Sequence, residues 1–221
     1  MNLSDLKPAS TYANMSGLKA IVYGPPGSGK TPVFNTATRP LLLACEPGLL
    51  SMRGSQVPTF QAHTPEALDD FFKWLFSSAE TKNFDTVGVD SVSQLADVYL
   101  QAALKKHKHG LQAYGEMAEK VMDILRPLFF LKEKHCYLIC KQTIEAGVMK
   151  PYFLGKQLPT EVPHLYDAIL HLGLHNVPQV GQVQSFQTKQ SYDILARDRS
   201  GRLAEFEQPD FGAIIRKAMQ T

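Results

Sequence analysis

An α/β fold with a mostly parallel sheet flanked by helices is predicted by three features of this 221-residue chain. Short apolar runs alternate with longer stretches of helical periodicity. A glycine-rich loop joins the first apolar run to a helix-like segment. Beyond residue 168 the pattern becomes strand-rich, with Gly181-Gln-Val-Gln-Ser-Phe-Gln187 alternating and a further apolar run at Tyr192–Ala196.

The elements follow in order. Leu18–Tyr23 (LKAIVY) reads as the first strand and Pro40–Cys45 (PLLLAC) as the second. Thr64-Pro65-Glu66 opens a helix to Ser77, with Leu68, Phe71, Phe72, Leu75 and Phe76 on its apolar face. Thr86–Asp90 (TVGVD) is a third strand, followed by helices at Val92–Leu104 and Met117–Leu131. His135–Cys140 (HCYLIC) is a fourth strand, the stretch from Ala168 to Leu195 is strand-like, and a helix at Phe211–Met219 closes the chain. No linker or repeat divides the sequence, so residues 1–221 are read as one domain.

Composition excludes some classes. A hydrophobic content of 44% supplies an ordinary core, and a net charge of +2 names no partner by itself. Cys45, Cys136 and Cys140 lie in apolar runs without metal-ligand spacing and read as core residues of a reducing compartment. MNLSDLKPAS has no apolar signal core, and no run approaches the ~20 residues of a membrane span. A soluble cytoplasmic protein is expected.

Gly24-Pro25-Pro26-Gly27-Ser28-Gly29-Lys30-Thr31 satisfies GxxxxGK[ST] between a strand and a helix, the context that gives the pattern meaning. Its backbone N–H groups would face the phosphates of ATP, Lys30 would neutralise the β- and γ-phosphates, and the Thr31 hydroxyl would bind Mg²⁺. Asp90 ends the third strand at the edge where open α/β sheets bind nucleotides, and is the candidate magnesium-linked carboxylate. Its competitor Asp85 precedes the strand and so falls at the opposite edge. Glu46, after the second strand, is either the base that activates water or a solvated loop glutamate before a Pro-Gly turn.

Glu46, the segment Val89-Asp-Ser-Val-Ser-Gln-Leu95 and Gln142 after the fourth strand together resemble the RecA recombinase core. With Leu154–Pro159 (LGKQLP), Val162–Ile169 (VPHLYDAI) and Ala196–Leu203 (ARDRSGRL), the chain resembles the phage-encoded RecA-like ATPases of the single-strand annealing Sak group. That resemblance implies a RecA-like P-loop core in which Glu46 activates water and Gln142 senses the γ-phosphate. It implies a single-stranded-DNA-stimulated ATPase of phage recombination or annealing, working in the host cytoplasm as a ring or filament, with a single-strand-binding protein as a candidate companion. It also assigns two DNA-binding loops. One carries Lys105, Lys106 and Lys108; the other runs from Thr143 to Lys156, with Lys150, Tyr152, Phe153 and Lys156. Lysines would track phosphates and rings would stack on bases. The alternatives are a solvated helix end for the first loop and core packing for Tyr152 and Phe153. Arg197 and Arg199 resemble the segment by which RadA and RecA reach the nucleotide of the neighbouring subunit, so the active site would be shared; a charged turn is the alternative. Only a short segment, with Tyr12 its one large aromatic, precedes the first strand, so no separate polymerisation domain is evident there. A small-molecule kinase and a non-catalytic, nucleotide-dependent loader are the rival functions for the same loop.

Overall fold

The computed structural model describes residues 2, 5–14 and 16–220; residues 1, 3, 4, 15 and 221 lie outside them. A short helix α1 (Ala9–Asn14) leads to the first strand, β1 (Lys19–Tyr23), and the phosphate-loop residues then open α2 (Lys30–Val33). Next come β2 (Pro40–Ala44), β3 (Thr59–Gln61), α3 (Pro65–Ser77), β4 (Thr86–Asp90), α4 (Val92–Lys106) and α5 (Gly110–Phe130). β5 (His135–Cys140) is followed by a hairpin, β6 (Gln142–Glu145) and β7 (Val148–Pro151). The remainder is α6 (Gln157–Leu165), β8 (Ala168–Val177), β9 (Gly181–Gln187), β10 (Arg197–Asp198), β11 (Phe206–Glu207) and α7 (Phe211–Ala218).

Nine strands among the described residues form one sheet in the order β11-β9-β8-β1-β5-β4-β2-β3, with β10 added to β8. The run from β8 to β3 is parallel, and β9, β10 and β11 are antiparallel additions. This is the expected RecA-like arrangement, in which β5 separates the loop-bearing strand β1 from the aspartate-bearing strand β4. Side chains alternate between two cores, as strands buried on both faces require. Ile21, Tyr23, Leu43, Val89 and Leu138 pack with α3, α4, α5 and α6. Ala20, Val22, Leu42, Tyr137 and Ile139 pack with Phe34 and α7.

Two features lock the sheet to its surroundings. Lys19 is fully buried, and its ammonium donates to the carbonyls of Gly17, Leu131 and Lys134 at 2.9, 3.0 and 2.6 Å, which closes the end of α5. Burial lowers its pKa. In the middle of β4, a Cβ on Gly88 would lie 2.7–2.9 Å from three ring carbons of Phe34, so the ring seats the chain leaving α2 against bare backbone.

Several elements depart from expectation. The helix foreseen at Met117–Leu131 begins earlier, at Gly110, because Ala113 and Met117 continue its buried face. α6 is new; Pro159 falls in its first turn, where proline is tolerated, but Pro163 lies inside it and disguises it. Residues 191–195 are no strand, and Ile194 makes only an isolated bridge to Met149. The three cysteines are buried in the cores as expected.

Candidate functional site

Parallel strands bring the predicted residues to one edge. The loop leaves the C-terminal end of β1, Asp90 ends β4, and Glu46 and Gln142 follow β2 and β5. Residues from all four strand ends, Lys30, Thr31, Glu46, Asp90 and Gln142 among them, line one cleft of about 470 Å³.

Gly27 and Gly29 adopt φ values of 78° and 79°, a left-handed geometry that glycine takes without strain. Among the described residues no acceptor meets the amide N–H groups of Gly27, Gly29, Lys30 or Thr31. Unpaired donors at a helix start form a nest for an anion, so the loop fits a nucleotide's phosphates. The Lys30 ammonium donates to the Gly24 and Pro25 carbonyls, each at 2.9 Å, and approaches Ser28 Oγ at 3.4 Å. Burial lowers its pKa, and Asp90 and Glu46 oppose that.

The Thr31 hydroxyl donates to Asp90 Oδ2 at 2.6 Å. Burial raises the Asp90 pKa, while the Thr31 bond and Lys30 counter it. Among the described residues no cluster of three or more His, Cys, Asp or Glu side chains could hold a metal. Two oxygen ligands, Thr31 and Asp90, suit a cation such as Mg²⁺ that keeps waters and phosphate oxygens in its remaining positions. On the cleft's far wall the Ser91 hydroxyl donates to Glu46 Oε1 at 2.6 Å, and Lys141 Nζ lies 3.7 Å from the same oxygen.

Gln142 also borders a second cavity of about 630 Å³, beyond Pro25–Ser28, in a region to which the sequence pattern assigns no role. There Gln142 Oε1 meets His171 Nε2 at 2.9 Å, His171 Nδ1 meets His175 Nε2 at 2.8 Å, and His175 Nδ1 meets Ser185 Oγ at 2.9 Å. The signal was present in the His171-Leu-Gly-Leu-His175 spacing, which puts both imidazoles on one face of a strand. Gln184 Nε2 donates to the Ser28 carbonyl at 2.5 Å and ties β9 to the loop.

On another face the second basic segment packs against the start of α5. Leu111, Tyr114, Tyr152 and Lys156 line a groove of about 550 Å³ between the start of α5 and the chain beyond β7. Lys105 and Lys108 are exposed, at the end of α4 and in the turn before α5, and do not line the groove; Tyr152 is 37% exposed. Lys106 and His107 instead both engage Glu116, at 2.7 and 2.5 Å, because α5 turns that acid back over the loop. Lys150 pairs with Glu145 across the hairpin. Phe153 is 4% exposed within the core, which corrects its assignment as a stacking ring.

Arg197 and Arg199 lie at the opposite edge of the sheet, since β10 pairs with Ile169 and Ala168 at the start of β8. Arg197 donates to the carbonyls of Pro163 and Tyr166 and is half-buried. These bonds hold the Arg197 guanidinium against its own chain, at the end of α6. Arg199 donates to the His164 carbonyl at 2.7 Å and keeps 43% of its side chain exposed.

A phosphate nest on a parallel sheet, with an aspartate one strand removed from the loop strand, defines a P-loop nucleotide-binding ATPase. Residues 16–200 match the AAA domain family, and the chain belongs to that family. No curated protein matches the chain. Among solved structures, a KaiC-like protein from the hyperthermophilic archaeon Pyrococcus horikoshii OT3 is similar at a TM-score of 0.47 and 11% identity, over 80% of each chain. Among the described residues no helix is long and apolar enough to cross a membrane.

Proposed function

We propose that this ATPase is stimulated by single-stranded DNA and acts in phage recombination or single-strand annealing. One observation carries the reading. Gln142 is both a wall of the phosphate cleft and the first residue of the β6–β7 hairpin, and the chain leaving that hairpin forms the groove with Tyr152 and Lys156. In this reading the hairpin would link the nucleotide's terminal phosphate to a surface where Lys156 lies beside the exposed Tyr152 ring, the chemistry that suits unpaired bases and their phosphates.

In this reading Lys30 and the loop amides bind the phosphates of ATP, and Thr31 and Asp90 hold Mg²⁺, which would offset phosphate charge when bound. Glu46 faces the cleft as the base for water, with Ser91 and Lys141 fixing its carboxylate. The protein works as a homo-oligomer, ring or filament, in the cytoplasm of the host. Arg199 is the candidate for completing a neighbour's site, and a single-strand-binding protein is a candidate companion. The test is phosphate release from ATP with Mg²⁺, measured with and without single-stranded DNA and with small-molecule phosphate acceptors. DNA stimulation is expected. Transfer to an acceptor would replace the reading with a kinase, and no turnover under any condition would replace it with a nucleotide-dependent loader.

A further inference from the structure

We propose that His171 is a positioning residue for Gln142, and that the His171–His175–Ser185 chain turns the Gln142 amide NH₂ toward the phosphate cleft. The proposal rests on Gln142 facing the terminal phosphate. His171, His175 and Ser185 are 4%, 7% and 4% exposed, so each polar atom must find a partner within the protein. The three hydrogen bonds that join these residues to Gln142, at 2.8–2.9 Å, satisfy every ring nitrogen of both imidazoles.

The polarity of this chain decides what Gln142 presents. Burial holds His171 at a pKa of about 4 and lowers that of His175, so both rings are neutral at neutral pH. A neutral imidazole has one donor and one acceptor nitrogen, so all hydrogen bonds along the chain must run in the same direction. The same three contacts allow two senses; in the one that places Gln142 Oε1 against His171 Nε2, which we adopt, the ring donates through Nε2–H and accepts at Nδ1. His175 then donates through Nε2–H and accepts the Ser185 hydroxyl at Nδ1. The amide oxygen of Gln142 is thereby held by His171, and its NH₂ is left for the cleft that Gln142 also lines. An anionic phosphate needs a donor there. Without the chain, the amide is free to turn its oxygen outward and repel the same group.

The fold supplies the rigidity. His171 and His175 project from β8, which pairs with the loop strand β1 on one side and with β9 on the other. The His171 ring packs on Tyr23 at a centroid separation of 5.0 Å. The Tyr23 hydroxyl is fixed by the Met149 and Leu195 carbonyls at 2.9 and 2.7 Å.

The experiment is a double-mutant cycle in the full chain, reading ATP turnover with Mg²⁺ and, separately, the affinity for a fluorescent ADP, which lacks the terminal phosphate. Gln142→Ala and His171→Phe should each lower kcat by about tenfold or more, about 1.4 kcal/mol, while ADP affinity stays within a few-fold. Gln142→Ala/His171→Phe should fall no further than Gln142→Ala alone. His171→Gln, whose amide can supply either polarity, should restore most of the turnover. If His171→Phe fails to bind ADP, Ser185→Ala carries the same cycle from the far end of the chain. The proposal is overturned if the second substitution lowers kcat by the same factor whether or not Gln142 is present, since that marks a purely structural effect. If Gln142→Ala itself turns over at the parent rate, the reading of Gln142 fails first and the proposal with it.

Discussion

Replacing Glu46 by glutamine separates charge from shape. The amide keeps the length of the side chain and leaves an oxygen for the Ser91 hydroxyl, now 2.6 Å from Glu46. What disappears is a negative charge and a proton-accepting oxygen. Lys141, the cation nearest that charge, is 3.7 Å away, and 53% and 39% of the two side chains are exposed. Such a pair is worth under ~1 kcal/mol. A chain of this length shifts its Tm by about 2–4 °C per kcal/mol, so Glu46→Gln should melt within a few degrees of the parent. Catalysis should change far more, because a positioned general base contributes about 10²–10⁴-fold. Steady-state phosphate release should therefore fall at least about a hundredfold, with ATP affinity nearly unchanged. Turnover at the parent rate would refute the assignment and leave Glu46 as no more than the partner of Lys141 and Ser91.

Lys30→Ala should abolish turnover and Asp90→Asn should weaken Mg²⁺-dependent nucleotide binding, each by removing a preorganised charged group worth roughly 2.7–4 kcal/mol; normal turnover in Lys30→Ala would remove the loop from the chemistry. Neutralising Lys105, Lys108 and Lys156 should flatten the salt dependence of single-strand binding by about 0.7 for each DNA phosphate left without its lysine. Tyr152→Ala should cost about 1–3 kcal/mol at unchanged slope, and no effect in either set would take the groove out of DNA binding. Arg199→Ala should bind ATP yet turn over slowly and regain activity when mixed with Lys30→Ala; mixed oligomers that stay inactive would exclude a shared site. His135, half-buried, and His171, buried, have pKa values near 4, pushed down by desolvation. Unfolded histidine takes up a proton below about 6.5, so between there and about 4 the unfolded state binds more protons. Stability should be full above that window and fall as pH drops through it, by at most about 1.4 kcal/mol per pH unit for each group. Urea unfolding at pH 7, 6 and 5 would contradict this if the midpoint stayed flat.

The cleft edge of the sheet was legible because its logic is one-dimensional. A parallel strand ends where its apolar run ends, so Asp90, Glu46 and Gln142 could be placed beside the loop without knowing how the helices pack. What could not be read depends on chain segments far apart. Phe153 and Tyr152 are adjacent in sequence, yet one enters the core and the other borders the groove, and only the packing of α5 against the 152–157 segment distinguishes them. Arg197 looked available because its carbonyl partners belong to the end of α6, a helix masked by its prolines. Glu116 lies ten residues from Lys106 in sequence, and only the turn into α5 brings the two together. The first strand, read as apolar, conceals a buried ammonium at Lys19 because three loop carbonyls happen to converge there. The histidine pair carried a period-2 signal, but its meaning required Gln142 and Ser185 from other strands.

The packing of Phe34 on Gly88 makes two distant positions one heritable unit. The ring occupies the space that any side chain at residue 88 would need, with three of its carbons 2.7–2.9 Å from the site of a Cβ. A methyl group gained at 88 has to be matched by volume given up at 34, because a packed interior tolerates exchange of volume far better than its addition. Residue 34 sits one position beyond the helix that begins with Lys30 and Thr31, so an unmatched change at 88 would displace the phosphate loop from behind. Among descendants of this sequence, glycine at 88 should persist wherever an aromatic ring persists at 34, and the two should be replaced together or not at all.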